Sequence, residues 1–199
     1  MQKLFTFLLI FCFLVSSAQD KTAETSKEFQ ENLNLDYVDK EKSPLMEEDL
    51  KSFKSLDFFP ISDKYIVAAT FVRTKKEKVF KMKTSTERLP LYKKYGELHF
   101  KIDRVDCKLN VYQNIDLIKK PGFDDYLFLP FSDLTSGKES YIGGRYVDLR
   151  IQKGKLWTID FNKAYNPYCA YNHKYSCPIV PLENDLNVEI LAGVKKFHD

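Results

Sequence analysis

Beyond Pro60 apolar and polar residues alternate along the chain, in short runs broken by Gly, Asp or Pro. A period of two places successive side chains on opposite faces of a β-strand. Residues 65–72, 77–83, 91–95, 97–103, 106–112, 126–129, 145–151, 155–160 and 186–194 therefore read as strands. Gly96, Asp103-Arg104 and Gly154 sit at joints between neighbours, which suits hairpins. Upstream the pattern changes. Phe29, Leu33 and Tyr37 recur at four-residue spacing, as in a loose amphipathic helix, and residues 46–53 suit a short second one after Ser43-Pro44. The pattern predicts a mainly β fold: a single small antiparallel barrel or sandwich of about nine strands, with one or two short N-terminal helices. Its predicted core includes Ile66, Ala68, Phe100, Ile102, Leu109, Val111, Val147, Leu149 and Ile159.

The first residues carry an address. Lys3 precedes an apolar run over residues 4–15, interrupted only by Thr6, and Ser16-Ser17-Ala18 then supplies small residues before Gln19. A basic start, a short apolar stretch and a small-residue exit make a secretory signal peptide. The run is shorter than the roughly 20 apolar residues that cross a bilayer. The chain thus divides into a signal peptide (1–18), a polar leader that is helical in part (19–43) and a single β domain (44–199). The mature protein is expected to be exported, periplasmic or secreted, with no transmembrane anchor after cleavage.

Composition narrows the function classes. The chain has 16 Phe and 12 Tyr against 7 Gly, so its core is built from aromatics, which strands accommodate readily. A formal net charge of +3 over 199 residues gives no basis for nucleic-acid binding.

The last third holds the most distinctive residues. Leu127-Phe128-Leu129-Pro130-Phe131-Ser132-Asp133-Leu134 leads to Tyr141, then Gly143-Gly144-Arg145-Tyr146-Val147-Asp148, and then Asp160-Phe161-Asn162 with Tyr165-Asn166-Pro167-Tyr168-Cys169. Cys177-Pro178 and Pro181-Leu182-Glu183-Asn184 close the series, with Ser43-Pro44-Leu45 and Phe58-Phe59-Pro60 upstream. This order of motifs resembles the bacterial family catalogued as domain of unknown function 1684, over about residues 36–194. The resemblance implies no activity, cofactor or catalytic residue.

The residues must then be read on their chemistry. Gly143-Gly144 lacks the spacing of a phosphate-cradling loop and reads as a tight turn that delivers Arg145 onto a strand. On that strand Arg145, Val147, Leu149 and Ile151 share one face, and Tyr146, Asp148 and Arg150 the other. An arginine on an apolar face needs a carboxylate or a bound anion; Glu139, Asp133 and Asp160 are candidates, and a structural salt bridge is the stronger reading. Glu139, Arg145, Asp160 and Asn162 form the candidate catalytic set, with paired carboxylates for acid–base work. Tyr141, Tyr165, Asn166, Tyr171, Glu183 and Asn184 form the candidate binding set, since Tyr and Asn on loops suit recognition.

Three cysteines remain after cleavage. Cys107 alternates in phase with Leu109 and Val111 and reads as a small buried hydrophobe. Cys169 and Cys177 admit three readings: a disulfide, a metal site with His173 and Glu183 or Cys107, or a nucleophilic Cys169 activated by His173. An oxidising compartment favours the disulfide, so no metal and no cofactor are expected. Two function classes follow. One is an exported envelope protein whose β domain binds a small molecule, a carbohydrate or an envelope protein. The other is a hydrolase or transferase, which requires the four candidate catalytic residues to converge in one pocket.

Overall fold

The computed structural model describes residues 24–198, so the predicted signal peptide lies outside it. The four-residue spacing of Phe29, Leu33 and Tyr37 becomes helix α1 (Ser26–Val38). Its start is fixed by a capping box: the Glu28 amide donates to the Thr25 hydroxyl, and the Thr25 amide to the Glu28 carboxylate. Such a cap satisfies two amides that would otherwise lack partners. Two contacts then tie α1 to the far end of the β region. Ser26 donates to Asp160 at 2.6 Å, and Gln30 to the Asn162 carbonyl at 2.9 Å. Tyr37 is buried with Leu45, Leu56, Tyr171 and Val194 in a small cluster beneath the helix. A single turn, α2 (Glu47–Leu50), follows. No described helix is long and apolar enough to cross a membrane.

Seven strands follow among the described residues: β1 (Ile66–Arg73), β2 (Val79–Lys81), β3 (Leu91–Ile102), β4 (Val105–Asn114), β5 (Tyr126–Phe131), β6 (Arg145–Arg150) and β7 (Leu156–Asp160). All pairings between them are antiparallel, in the order β6-β5-β4-β3-β1-β7, with β2 added alongside β3. The sheet curls into a half-barrel around the main core, in which Trp157, Leu98, Leu109, Leu127, Leu129 and Phe131 are buried.

Seven strands rather than nine has two causes. The predicted strands at 91–95 and 97–103 are one, because Gly96 makes a bulge in place of a turn. A side chain there would collide with the Phe71 ring, at 2.3 Å from its nearest atom, so the strand bends where only glycine fits. Residues 186–194 alternate as predicted, with Leu186, Val188, Ile190, Ala192 and Val194 all buried, yet they join no ladder. Their amides and carbonyls are taken by loops and side chains: Leu186 N–H by Ser132 O, Ile190 N–H by Asp133, and the Ile190 and Ala192 carbonyls by Arg145.

One face assignment is reversed. Ile66 and Ala68 are exposed, while Val67 and Ala69 point inward. The sequence of β1 is apolar on both faces, so alternation alone does not choose between them. Pairing chooses: Val67 lies opposite Ile159 and Ala69 opposite Trp157, both buried in the core. The other seven predicted core residues are buried.

Candidate functional site

The half-barrel leaves a second apolar surface on the other face of β3–β6. Along β5, Leu127, Leu129 and Phe131 enter the main core, which turns Tyr126 and Phe128 outward. Along β6, Arg145, Val147 and Leu149 point in, which turns Tyr146 and Asp148 outward. Register places Asp148 directly opposite Phe128, with Tyr92 beyond on β3. Tyr165 reaches the same face by pairing with the edge of β6: its amide and carbonyl exchange hydrogen bonds with those of Tyr146, at 3.0 and 2.9 Å. Phe29 and Leu33 of α1 close one side, and Tyr168, Cys177 and Pro178 another. These elements enclose a cavity of about 350 Å³ whose walls are mostly aromatic.

Among the described residues Asp148 is the single charged side chain that lines the cavity. Tyr126 and Tyr165 both donate to the same carboxylate oxygen, Oδ1, at 2.7 Å each. Oδ2 accepts no hydrogen bond from the described residues. Asp148 is reached by solvent, while Tyr126, Tyr165 and Phe128 crowd its carboxylate. This desolvation raises its pKa above the ordinary 3.8, against the opposing pull of the two phenols and of Arg150. Burial, and the carboxylate beside them, push the Tyr126 and Tyr165 hydroxyls up in turn. Arg150 itself is engaged outside the cavity, on Asp125 at 2.6 Å and on the Gly122 carbonyl. A phenol-braced carboxylate with one open oxygen, in a largely aromatic cavity, can accept a hydrogen bond from a ligand and favours positive charge on it.

None of the predicted catalytic set lines this cavity. Arg145 is completely buried and forms the structural salt bridge, to Asp133 at 2.9 Å. Asp160 and Asn162 form a local cap in which Asp160 accepts from the Asn162 amide, and Asn162 grips the Ser62 backbone. Glu139 is an exposed loop residue. Of the four, the structure brings Asp160 and Asn162 into contact and places Arg145 and Glu139 apart from them.

Of the predicted binding set, Tyr165 lines the pocket and Tyr141 lies beside Cys169. The rest serve the fold. Asn166 is buried and donates to the Lys195 carbonyl at 2.9 Å. Tyr171 is buried against Tyr37 and Phe197. Glu183 accepts from Tyr112 at 3.2 Å. Asn184 bridges strands: it accepts from the Asn110 amide and donates to the Asn110 and Pro130 carbonyls. Pro130 has no amide to give to the β4–β5 ladder, and the Asn184 side chain fills that gap.

The predicted Cys169–Cys177 disulfide is absent; both residues are free thiols, as is Cys107. Hydrogen bonds from the backbone and from side chains hold the loop in place. Ser85 exchanges two hydrogen bonds with Cys177, Ile179 donates to the Lys83 carbonyl, and the Tyr146 hydroxyl donates to Pro178. His173 is exposed. Among the described residues no group of three or more His, Cys, Asp or Glu comes together as a metal site would require.

The pocket residues outside the predicted sets, Asp148, Tyr126, Phe128, Tyr146 and Tyr92, had one sequence signal. Asp148 shares a strand face with Tyr146, opposite an apolar face that the core must claim. Residues 51–195 match the model of a family described as "Protein of unknown function (DUF1684)". The chain is also similar to an uncharacterised protein of Haloarcula marismortui, known from a solution NMR structure. The two are 29% identical with a TM-score of 0.67, and the match covers 85% of this chain and 91% of that one. No curated protein matches the sequence.

Proposed function

Given that the chain belongs to the DUF1684 family of proteins of unknown function, we propose that it binds a small organic cation, an amine or quaternary ammonium with an apolar body, in the aromatic pocket around Asp148. The observation that carries this reading is the open oxygen of Asp148 in a cavity that, among the described residues, is lined by no Lys, Arg or His. Tyr126, Tyr146, Tyr165 and Phe128 offer ring faces to the cation, and Asp148 offers the countercharge. The cavity volume falls near the lower end of the range for small-molecule sites, about 300–1,000 Å³. The export signal in residues 1–18 supports a site of action outside the cytoplasm, and intact-mass analysis of protein from its host should then find Gln19 first.

The test is a thermal-shift and calorimetric series of alkylammonium ions against their uncharged carbon isosteres and carboxylates of equal size. Cations should stabilise the protein, and isosteres should do so at least tenfold more weakly. Asp148→Asn should remove the preference for charge while keeping the apolar contacts. Equal binding of cation and isostere would refute the reading.

A further inference from the structure

One cluster of reactive groups lies outside this reading. Cys169 lies in the turn Tyr168–Ala170, and its amide donates to the Cys177 sulfur at 3.2 Å. Cys169 Sγ is three bonds from that nitrogen, so rotation about χ1 alone sets the distance between the two sulfurs. The partners differ in access. Cys177 is buried against the aromatic pocket, whereas Cys169 is only half-buried. They differ in chemistry too. A hydrogen bond from the Cys177 thiol lowers the Cys169 pKa, and the Tyr141 and Ser85 hydroxyls add to the effect; the same bond and burial raise that of Cys177. A half-exposed thiolate backed by a buried thiol is the arrangement of an attacking and a resolving cysteine.

We propose that Cys169 and Cys177 form a thiol–disulfide exchange site that reduces a low-molecular-weight disulfide, Cys169 being the nucleophile and Cys177 the resolving thiol. In the first step the Cys169 thiolate attacks one sulfur of R–S–S–R. A Cys169–S–R bond forms, the substrate S–S bond breaks, and RS⁻ leaves and takes a proton from solvent. Cys177 then gives its proton to solvent and attacks the Cys169 sulfur. The Cys169–Cys177 bond forms, and a second RS⁻ leaves and is protonated. Two protein thiols are oxidised to one disulfide, and one substrate disulfide is reduced to two thiols. Cys107 takes no part, because it is buried on β4 in the main core.

The test equilibrates reduced protein with graded ratios of oxidised to reduced glutathione, followed by acid quench, alkylation and peptide mapping. The expected result is a reversible Cys169–Cys177 linkage with Cys107 alkylated throughout. Cys177→Ser should trap glutathione on Cys169, and Cys169→Ser should leave Cys177 unmodified on the same timescale. The alkylation rate of Cys169 should reach its half-maximum below the pH of an ordinary thiol, and Tyr141→Phe should move that midpoint upward. No linkage at any ratio in the wild-type protein, or trapping on Cys177 in preference to Cys169, would overturn the proposal. The wild-type titration reads the outcome even if a variant fails to fold.

Discussion

Arg145 and Asp148 lie three residues apart on β6 and carry opposite charges on opposite faces, and the fold treats them in opposite ways. Arg145 points into the core and is surrounded by acceptors: Asp133, Thr135 and the carbonyls of Ile190 and Ala192, with the Phe131 ring 5.2 Å away. Asp133 is equally engaged, by Thr135, Ser136 and the Ile190 amide. This network replaces the ladder that residues 186–194 lack, and so pins the C-terminal segment to the sheet. Among the described residues Asp148 has two donors on one oxygen and none on the other, in a space large enough for a ligand. The lesson is about satisfaction rather than burial. Arg145 keeps one buried nitrogen, Nε, without a partner among the described residues, but both terminal nitrogens are held by the chain. A charge anchored in that way holds the fold, and a charge with an open atom in a cavity is available to something else.

The comparison predicts effects of different size and sign. Arg145→Met should be the most damaging, because it strands the buried Asp133 carboxylate and two carbonyls. A loss of about 3–5 kcal/mol in denaturant titration is the expectation for breaking a buried pair from one side. A loss below about 1 kcal/mol would show that the network is dispensable and dissolve the contrast. Asn184→Ala comes next, since it frees three buried backbone groups between β4 and β5. The expected cost is roughly 2–4 kcal/mol, with amide exchange rising at Asn110.

Asp148→Asn should have the smallest effect on stability and the reverse sign. The folded-state pKa of Asp148 is raised, so between 3.8 and that value the folded protein holds a proton that the unfolded chain has released. Stability contributed by the protonated group is therefore present below 3.8 and lost as pH rises through the folded pKa. Asparagine keeps an oxygen for Tyr126 and Tyr165 and removes the charge. The melting temperature at neutral pH should hold or rise, and its pH dependence above 3.8 should flatten, while cations fall to the affinity of their uncharged isosteres. A clear fall in melting temperature would place Asp148 with Arg145 as a structural charge.

Much of the fold is legible in the sequence. Strict alternation on β4, β6 and β7 places Leu109, Val111, Val147, Leu149 and Ile159 in the core, because one face of each strand is clearly the more apolar. The same alternation in residues 186–194 identifies the buried side chains correctly while implying a strand that does not form. Alternation reports which side chains are covered; it does not report where backbone amides find their partners. It fails on β1, where Ile66, Val67, Ala68 and Ala69 are all apolar and only pairing with β7 selects a face. The salt bridge of Arg145 is foreseeable in kind, with Asp133 among its three candidate partners.

The order of amino acids is therefore enough to specify the class of fold, most of its core and its family, because each is written in local periodicity or in contiguous motifs. The site is a product of tertiary structure. Asp148 meets Tyr126 from 22 residues away and Tyr165 from 17, and Phe29 arrives from a helix more than a hundred residues upstream. Tyr126 and Asp148 come together through strand register, and Tyr165 through a bridge to the edge of β6. No residue in the set is unusual in its own neighbourhood. Their chemistry exists only where the curled sheet turns its second face toward α1 and the cysteine loop, since the desolvation that raises the Asp148 pKa comes from chain segments distant in sequence.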